Sequence, residues 1–425
     1  MRLKFSSRYL TFTILLLFIA VLFYGCLQRF SGRLPSRAAA ARYSSGSMKL
    51  VTDSYSSFLT GDDLSRDSLN KAITQSLKYL NIIPADRIFF YGKVPYPAHE
   101  VIASMTLFQE ILAQNYSYER LVSELEDNYY AFASSANRGK QVLFTGYYEP
   151  ISEGALAPSA TFNVPVYTLP EDLVVLELGE FRESLKNRTI VYRMENGKLQ
   201  PYYSRQQIME QKVLSGQKKE IAWMKDPIDL FFMQVQGSGI LLLPTGNKIK
   251  LSYAGANGRR YSSIGKLLIE EGKMELEAVS MGSIRRYLNS HPEERDRILY
   301  HNKSYTFFNP SEDSGHPRGN LNVPLTPHRS IATDTEAFPK AALGFVSSEL
   351  PIFDENGNLK EWRHFSRFVV NQDTGGAIKG ADRLDLFWGN GALAAKSAGT
   401  MRRFGPLYLF IAKKEILAKL TQKPL

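Results

Sequence analysis

Apolar residues recur at helical spacing near the start of the chain. Leu69, Ala72, Ile73, Leu77 and Leu80 share one face and predict a helix over Asp67–Asn81, stopped by Pro84. Ala98–Gln114 and Tyr118–Ala133 repeat the pattern. The period then shortens. Val142–Pro150 reads as a strand ending in a turn, and Val164–Leu169, Thr189–Met194, Leu230–Val235 and Ile249–Tyr253 read as further strands, punctuated by Gly197, Gly246 and Gly258. Ser262–Glu271 and Glu275–Asn289 return to helical spacing, and Pro292 suits the first turn of a third helix. From Leu325 onward several short strands follow, among them Leu325–Asp334, Leu343–Val346 and Tyr408–Ile411, as in a small closed barrel. No repeat of 20–50 residues is present.

One stretch stands apart. Phe365, Phe368, Val369 and Val370 lead into Asn371-Gln372-Asp373-Thr374-Gly375-Gly376-Ala377-Ile378-Lys379-Gly380-Ala381-Asp382-Arg383, and Leu384, Leu386, Phe387 and Trp388 close it. The pattern predicts two strands joined by a glycine-rich turn. Folding back would bring Asp373 and Asp385 to one end of a sheet. Carboxylates among strand-forming apolar residues must be paired or hydrogen-bonded. A close pair raises one pKa and can keep a general acid protonated near neutral pH. From spacing alone, a plain turn with solvated aspartates competes with this reading.

Composition narrows the chemistry. The chain has 425 residues, 44% of them hydrophobic, which is enough for two domains with a real core. The formal charge of +10 would draw it to anions such as an acidic cell-wall polymer or anionic lipid, but no Lys/Arg block indicates nucleic acid. Six histidines form no His-x-x-x-His pair and Cys26 is the only cysteine, so neither a zinc enzyme nor a disulfide framework is expected. Arg2, Lys4 and Arg8 precede an apolar run from Tyr9 to Tyr24, then Gly25-Cys26. This resembles a bacterial lipoprotein signal over 1–26, with Cys26 as the lipidated residue. An uncleaved membrane anchor is the alternative. Residues 27–48 read as a tether.

Five ordered motifs together resemble the membrane-bound lytic murein transglycosylase A family. They are Phe144-Thr145-Gly146-Tyr147-Tyr148; Asp226-Pro227-Ile228-Asp229 with Gln234-Val235-Gln236-Gly237-Ser238-Gly239; Tyr253-Ala254-Gly255 with Asn257-Gly258; Leu325-Thr326-Pro327 with Arg329-Ser330-Ile331-Ala332; and the stretch from Asp373 to Gly380 with Asp385. The resemblance spans roughly Tyr129 to Pro406. It implies a mainly β protein with peripheral helices: a double-psi β-barrel domain, an inserted second β-barrel-like domain, and a groove between them. The expected parts are 49–150 and 307–425 for the barrel domain, the latter a three-aspartate domain, with the insert at 151–306.

The resemblance further implies cleavage of the β-1,4 bond between N-acetylmuramic acid and N-acetylglucosamine in peptidoglycan, leaving 1,6-anhydro ends and needing no cofactor. Asp385 would be general acid and then base, Asp373 its neighbour, and Asp334 a support. Thr145, Tyr147, Gln236, Ser238 and Arg329 are groove candidates, since hydroxyls, amides and aromatic faces suit sugars. The expected partners are glycan strands, the membrane through the lipid on Cys26, and a cell-wall enzyme complex; the expected place is the outer membrane, facing the periplasm. Two other readings stay open. Asp373-Thr374-Gly375 matches the short aspartic-protease signature, though only once. A non-catalytic peptidoglycan-binding lipoprotein could use the same barrel.

Overall fold

The computed structural model describes residues 47–135, 141–185, 188–311 and 315–421. The expected signal, most of the tether and Cys26 lie outside them. All described residues belong to one compact unit. Among them no helix is long and apolar enough to cross a membrane.

Six strands close into a barrel. Around it run Arg403–Ala412, Leu343–Phe353, Leu359–Asp373, Ser330–Ala332, Arg383–Asn390 and Gln141–Glu149, the last pairing again with the first. Two neighbouring pairs are parallel: Ser330–Ala332 with Leu359–Asp373, and Arg383–Asn390 with Gln141–Glu149. Tyr129–Ser134 and Met48–Leu50 extend the sheet outward from Arg403–Ala412. Closure removes the free sheet edges of the barrel.

The run before Asp373, in which Ser366, Arg367, Asn371 and Gln372 interrupt the apolar residues, is covered on both faces. Phe365 to Gln372 are all buried. Phe368 packs against Phe108 of the helix Ala98–Ala113, with ring centroids 5.2 Å apart. The Gln372 side-chain amide donates to the Ala72 carbonyl and to Ser76 Oγ of the helix Arg66–Ile82. That helix begins where Ser65 Oγ accepts from the Ser68 N–H.

The insert leaves the barrel at Glu149-Pro150. Its sheet runs Thr306–Ser311, Lys248–Ala256, Gly239–Leu242, Ile151–Ala155, Glu220–Met224, Val164–Tyr167. The two ends meet through a 2.6 Å hydrogen bond between Thr168 Oγ1 and Asn309 Oδ1, so the sheet curls towards a barrel. A separate three-stranded sheet is built from Val174–Glu177, Thr189–Glu195 and Lys198–Pro201.

Several local expectations fail for identifiable reasons. Leu230–Val235 is not a strand but part of the helix Pro227–Gln236. Asp226 caps it by accepting the Ile228 N–H, Pro227 occupies its first turn, and Gly237 ends it at φ 82°. A short apolar run is ambiguous by period, and here the caps decide. The helix from Tyr118 ends at Asn128, because Tyr129–Ser134 pairs with Met48–Leu50 on one side and Arg403–Ala412 on the other. Glu275–Asn289 is broken: Ser280 and Ser283 cap each other and start a new helix at Met281. Within Leu325–Asp334 only Ser330–Ala332 is strand, since His328 sits in the left-handed region at φ 61°. Asp373 and Asp385 do not lie on a simple hairpin. Ser330–Ala332 is laid between their strands.

Candidate active site

Four strands reach one level of the barrel side by side. Ala332 is opposite Asp373 on one flank and Asp385 on the other, and Asp385 is opposite Thr145. Strands lie about 4.8 Å apart, so the two aspartate backbones are roughly 10 Å apart with a small residue between them. Their carboxylates take different partners and no described hydrogen bond joins them.

Asp385 is held by side chains alone. Its Oδ1 accepts from Arg383 Nε at 3.0 Å and from the Thr145 hydroxyl; its Oδ2 lies 3.3 Å from an Arg383 terminal nitrogen. Arg383 stands two residues earlier on the same strand face. The Asp385 side chain remains 14% exposed and that of Arg383 32%, so the pair is open to a ligand.

Asp373 is held by backbone. Its Oδ1 accepts from the N–H groups of Asn320 and Thr374, each at 2.8 Å. The residue as a whole is partly covered, but its carboxyl group sits among protein atoms. Burial pushes its pKa up to about 6, against the lowering pull of those two N–H donors and of the Tyr147 hydroxyl that faces it; the Asp385 charge raises it less than any of these acts. The pair therefore does not behave as two like charges in contact: desolvation dominates.

Tyr147, two residues beyond Thr145, points its hydroxyl into this space. The oxygen is buried, faces Asp373 and has no partner of ordinary hydrogen-bond geometry among the described residues. Burial and the two aspartates hold its phenol well above the usual value, so it stays protonated. Its ring packs 5.2 Å from that of Phe387.

The remaining candidates divide. Asp334 is buried and accepts from the Gly380 N–H at 2.7 Å and the Glu336 N–H at 3.1 Å. It thereby pins the loop joining Asp373 to Asp385. Gln236 accepts the Tyr148 N–H at 3.0 Å, fastening the insert's helix Pro227–Gln236 to the barrel strand that carries Thr145. Ser238 is buried just beyond that helix. Arg329 is not a groove residue. It is fully buried, and its guanidinium is spent on Asp62 at 2.7 Å, Ser68 Oγ, and the Ser65 and Phe368 carbonyls. An arginine buried with a carboxylate and three further acceptors is a structural clamp, here between barrel and N-terminal segment.

Sequence reasoning missed Arg383 and Asn320. The first had a readable signal, a cation at i−2 on the strand of Asp385. The second had none, because a backbone N–H carries no residue signature. Among the described residues no three His, Cys, Asp or Glu side chains cluster as a metal site.

With this geometry in place, comparison with known proteins gives a consistent result. A family model described as the MltA-specific insert domain matches residues 143–309, and one described as the 3D domain matches 329–411. Together they cover more than half of the chain. The chain belongs to the membrane-bound lytic murein transglycosylase A family.

Membrane-bound lytic murein transglycosylase A of Vibrio cholerae is 32% identical over 269 residues, 63% of this chain and 64% of that protein; the match thus spans a little under two thirds of the relative's length. Among solved structures, the membrane-bound lytic murein transglycosylase of Agrobacterium tumefaciens superposes with a TM-score of 0.70 at 28% identity, covering 88% of this chain and 100% of that one. Escherichia coli MltA, solved with bound chitohexaose, shares the fold with a TM-score of 0.61 at 23% identity, over 87% of this chain and 97% of that one. The mainly β fold expected from the sequence is the one observed.

Proposed function

We propose that this protein is a peptidoglycan lytic transglycosylase. It cleaves the β-1,4 bond between N-acetylmuramic acid and N-acetylglucosamine and leaves 1,6-anhydro ends. The observation that carries the reading is Asp385, a carboxyl group held only by side chains, partly open, opposite Thr145 on the strand that leads into the insert. A proton-transfer group must change partners during the reaction, and Arg383 and Thr145 can swing. The fixed N–H donors on Asp373 suit a group that stays in place.

In this mechanism Asp385 donates its proton to the bridging oxygen as the C1–O bond breaks. Positive charge develops at C1 and the ring oxygen, facing the carboxylate just formed. The sugar's own C6 hydroxyl then attacks C1, and Asp385 takes its proton. The nucleophile is part of the substrate, so its effective concentration is high, and no second enzymic nucleophile or water is required. Tyr147 and Asp373 line the same space and orient the sugar, while Gln236 and Ser238 stand at the junction with the insert. The glycan runs between barrel and insert. By the same family reading the chain is exported and held to the outer membrane by a lipid on Cys26.

One observation favours a second assignment within this function: Asp373, with its pKa near 6, retains a proton close to neutral pH. Asp385→Asn and Asp373→Asn, each assayed on purified metal-free sacculi with its fold checked by circular dichroism, separate the two. Loss of anhydro-muropeptides in Asp385→Asn, by at least about 100-fold, with partial activity in Asp373→Asn, supports the first assignment. The reverse pattern exchanges the roles.

A further inference from the structure

A described cavity of about 920 Å³ lies apart from the aspartates. It lies in the insert, between the three-stranded sheet and the loop that follows Lys248–Ala256. Leu176, Ile190 and Leu199 give it an apolar side. The other side carries Arg259, Arg260, Lys303 and His301, and the wall contains no aspartate or glutamate.

Arg259 is oriented by a 2.8 Å hydrogen bond from its Nε to the Tyr202 carbonyl, which leaves its terminal nitrogens unclaimed by any described carboxylate. Arg193, on the strand Thr189–Glu195, adds positive charge nearby although its own guanidinium is paired with Glu195 at 2.9 Å: burial and this like charge both press on the Arg259 guanidinium. A half-apolar cavity with uncompensated cations needs an anion that also presents methyl or methylene groups. The same loop leads to the reaction centre. Tyr261, between Arg260 and the cavity residue Ser262, lies within electrostatic reach of Arg383, the partner of Asp385.

We propose that this cavity is a subsite for the peptide stem carried by the muramic acid of the glycan, with Arg260 and Lys303 receiving its carboxylates and the three-stranded sheet its alanine methyl groups. The inference rests on the transglycosylase reading for its substrate. A four-residue stem extends up to about 14 Å from the sugar, and the loop through Tyr261, within electrostatic reach of Arg383, gives the direction it would take. Charge complementarity of this kind sets which glycan segments are chosen.

The test uses the exported chain and two readouts. The free tetrapeptide L-Ala-γ-D-Glu-diaminopimelate-D-Ala is titrated into wild type and into Arg260→Glu/Lys303→Glu, following backbone amides by NMR. Shifts at Gly258 and Ser262 in wild type, with affinity at least about tenfold weaker in the double variant, support the subsite. The second readout is the ratio of kcat/KM on peptide-bearing glycan to that on glycan stripped by an amidase. This ratio falls about tenfold in the double variant and holds in Lys198→Glu, an exposed charge on the same small sheet outside the cavity. No peptide binding by wild type, or an unchanged ratio in the double variant, overturns the subsite. Failure to cleave either glycan would strike the transglycosylase reading instead, because peptide binding is read without catalysis.

Discussion

At the level of single residues, two aspartates of one family motif are treated differently by the fold. Asp385 is surrounded by side chains, Asp373 by backbone donors. The raised pKa of Asp373 has a consequence for stability. Its folded value, about 6, lies above the unfolded value of about 3.8. The folded state therefore holds the proton more tightly, and stability present below pH 3.8 is lost as pH rises through 6. Asp373→Asn removes this cost. Its Tm should exceed wild type by about 2–4 °C at pH 8 and match it at pH 4; equal Tm values at both would deny the burial of this charge.

His328 runs the other way. Burial, together with Arg367, lowers its pKa to about 4, so its neutral imidazole contributes stability above pH 6.5 that is lost as pH falls towards 4. His328→Asn tolerates the left-handed backbone and should flatten the fall in Tm over that window. A wild-type slope in the variant would assign the acid sensitivity elsewhere.

At the level of elements, caps and close approaches decide what the chain becomes. Asp226, Pro227 and Gly237 turn an apolar run into a helix, and these signals were present in the sequence. Asp226→Ala should cost about 1 kcal/mol by denaturant titration, from loss of the bond to the Ile228 N–H. The barrel seam had no such signal. Gly405 lies where Arg403–Ala412 pairs with Gln141–Glu149, and a Cβ there would overlap the Ser347 carbonyl oxygen. Gly405→Ala should destabilise by about 3 kcal/mol or more, because backbone must move. A variant as stable as wild type would show that the seam can relax.

The same contrast governs how far the sequence could be read. Strands such as Thr189–Glu195 and helices such as Arg66–Ile82 follow from local periodicity. The strand Ser330–Ala332 lodged between Asp373 and Asp385 depends on partners some 40 to 55 residues on, and Tyr129–Ser134, emerging from a helical pattern, on a strand more than 200 residues away. Arg329 misled because its motif neighbours suggested a site, whereas burial makes it a clamp. Arg329→Met leaves Asp62 without its buried counter-charge and should cost about 3–5 kcal/mol. A loss below about 1 kcal/mol would show that Asp62 finds water or another donor.

At the level of the whole molecule, a rigid barrel presents the aspartates and an insert stands at the end of the strand bearing Thr145. Gln236 binds the two together through the Tyr148 N–H. In the proposed mechanism the barrel supplies the proton chemistry, while the insert carries a basic cavity bordered by the loop through Tyr261. In that mechanism the insert would hold the glycan so that its C6 hydroxyl can close on C1, with one proton given and one taken.

The most direct measurement is mass spectrometry of the products released from metal-free peptidoglycan sacculi by wild type and by Asp385→Asn. Wild type should release 1,6-anhydro-muropeptides, unaffected by chelators, with at least about a 100-fold loss in a folded Asp385→Asn protein. Reducing-end muropeptides from wild type, or undiminished anhydro products from Asp385→Asn, would contradict it.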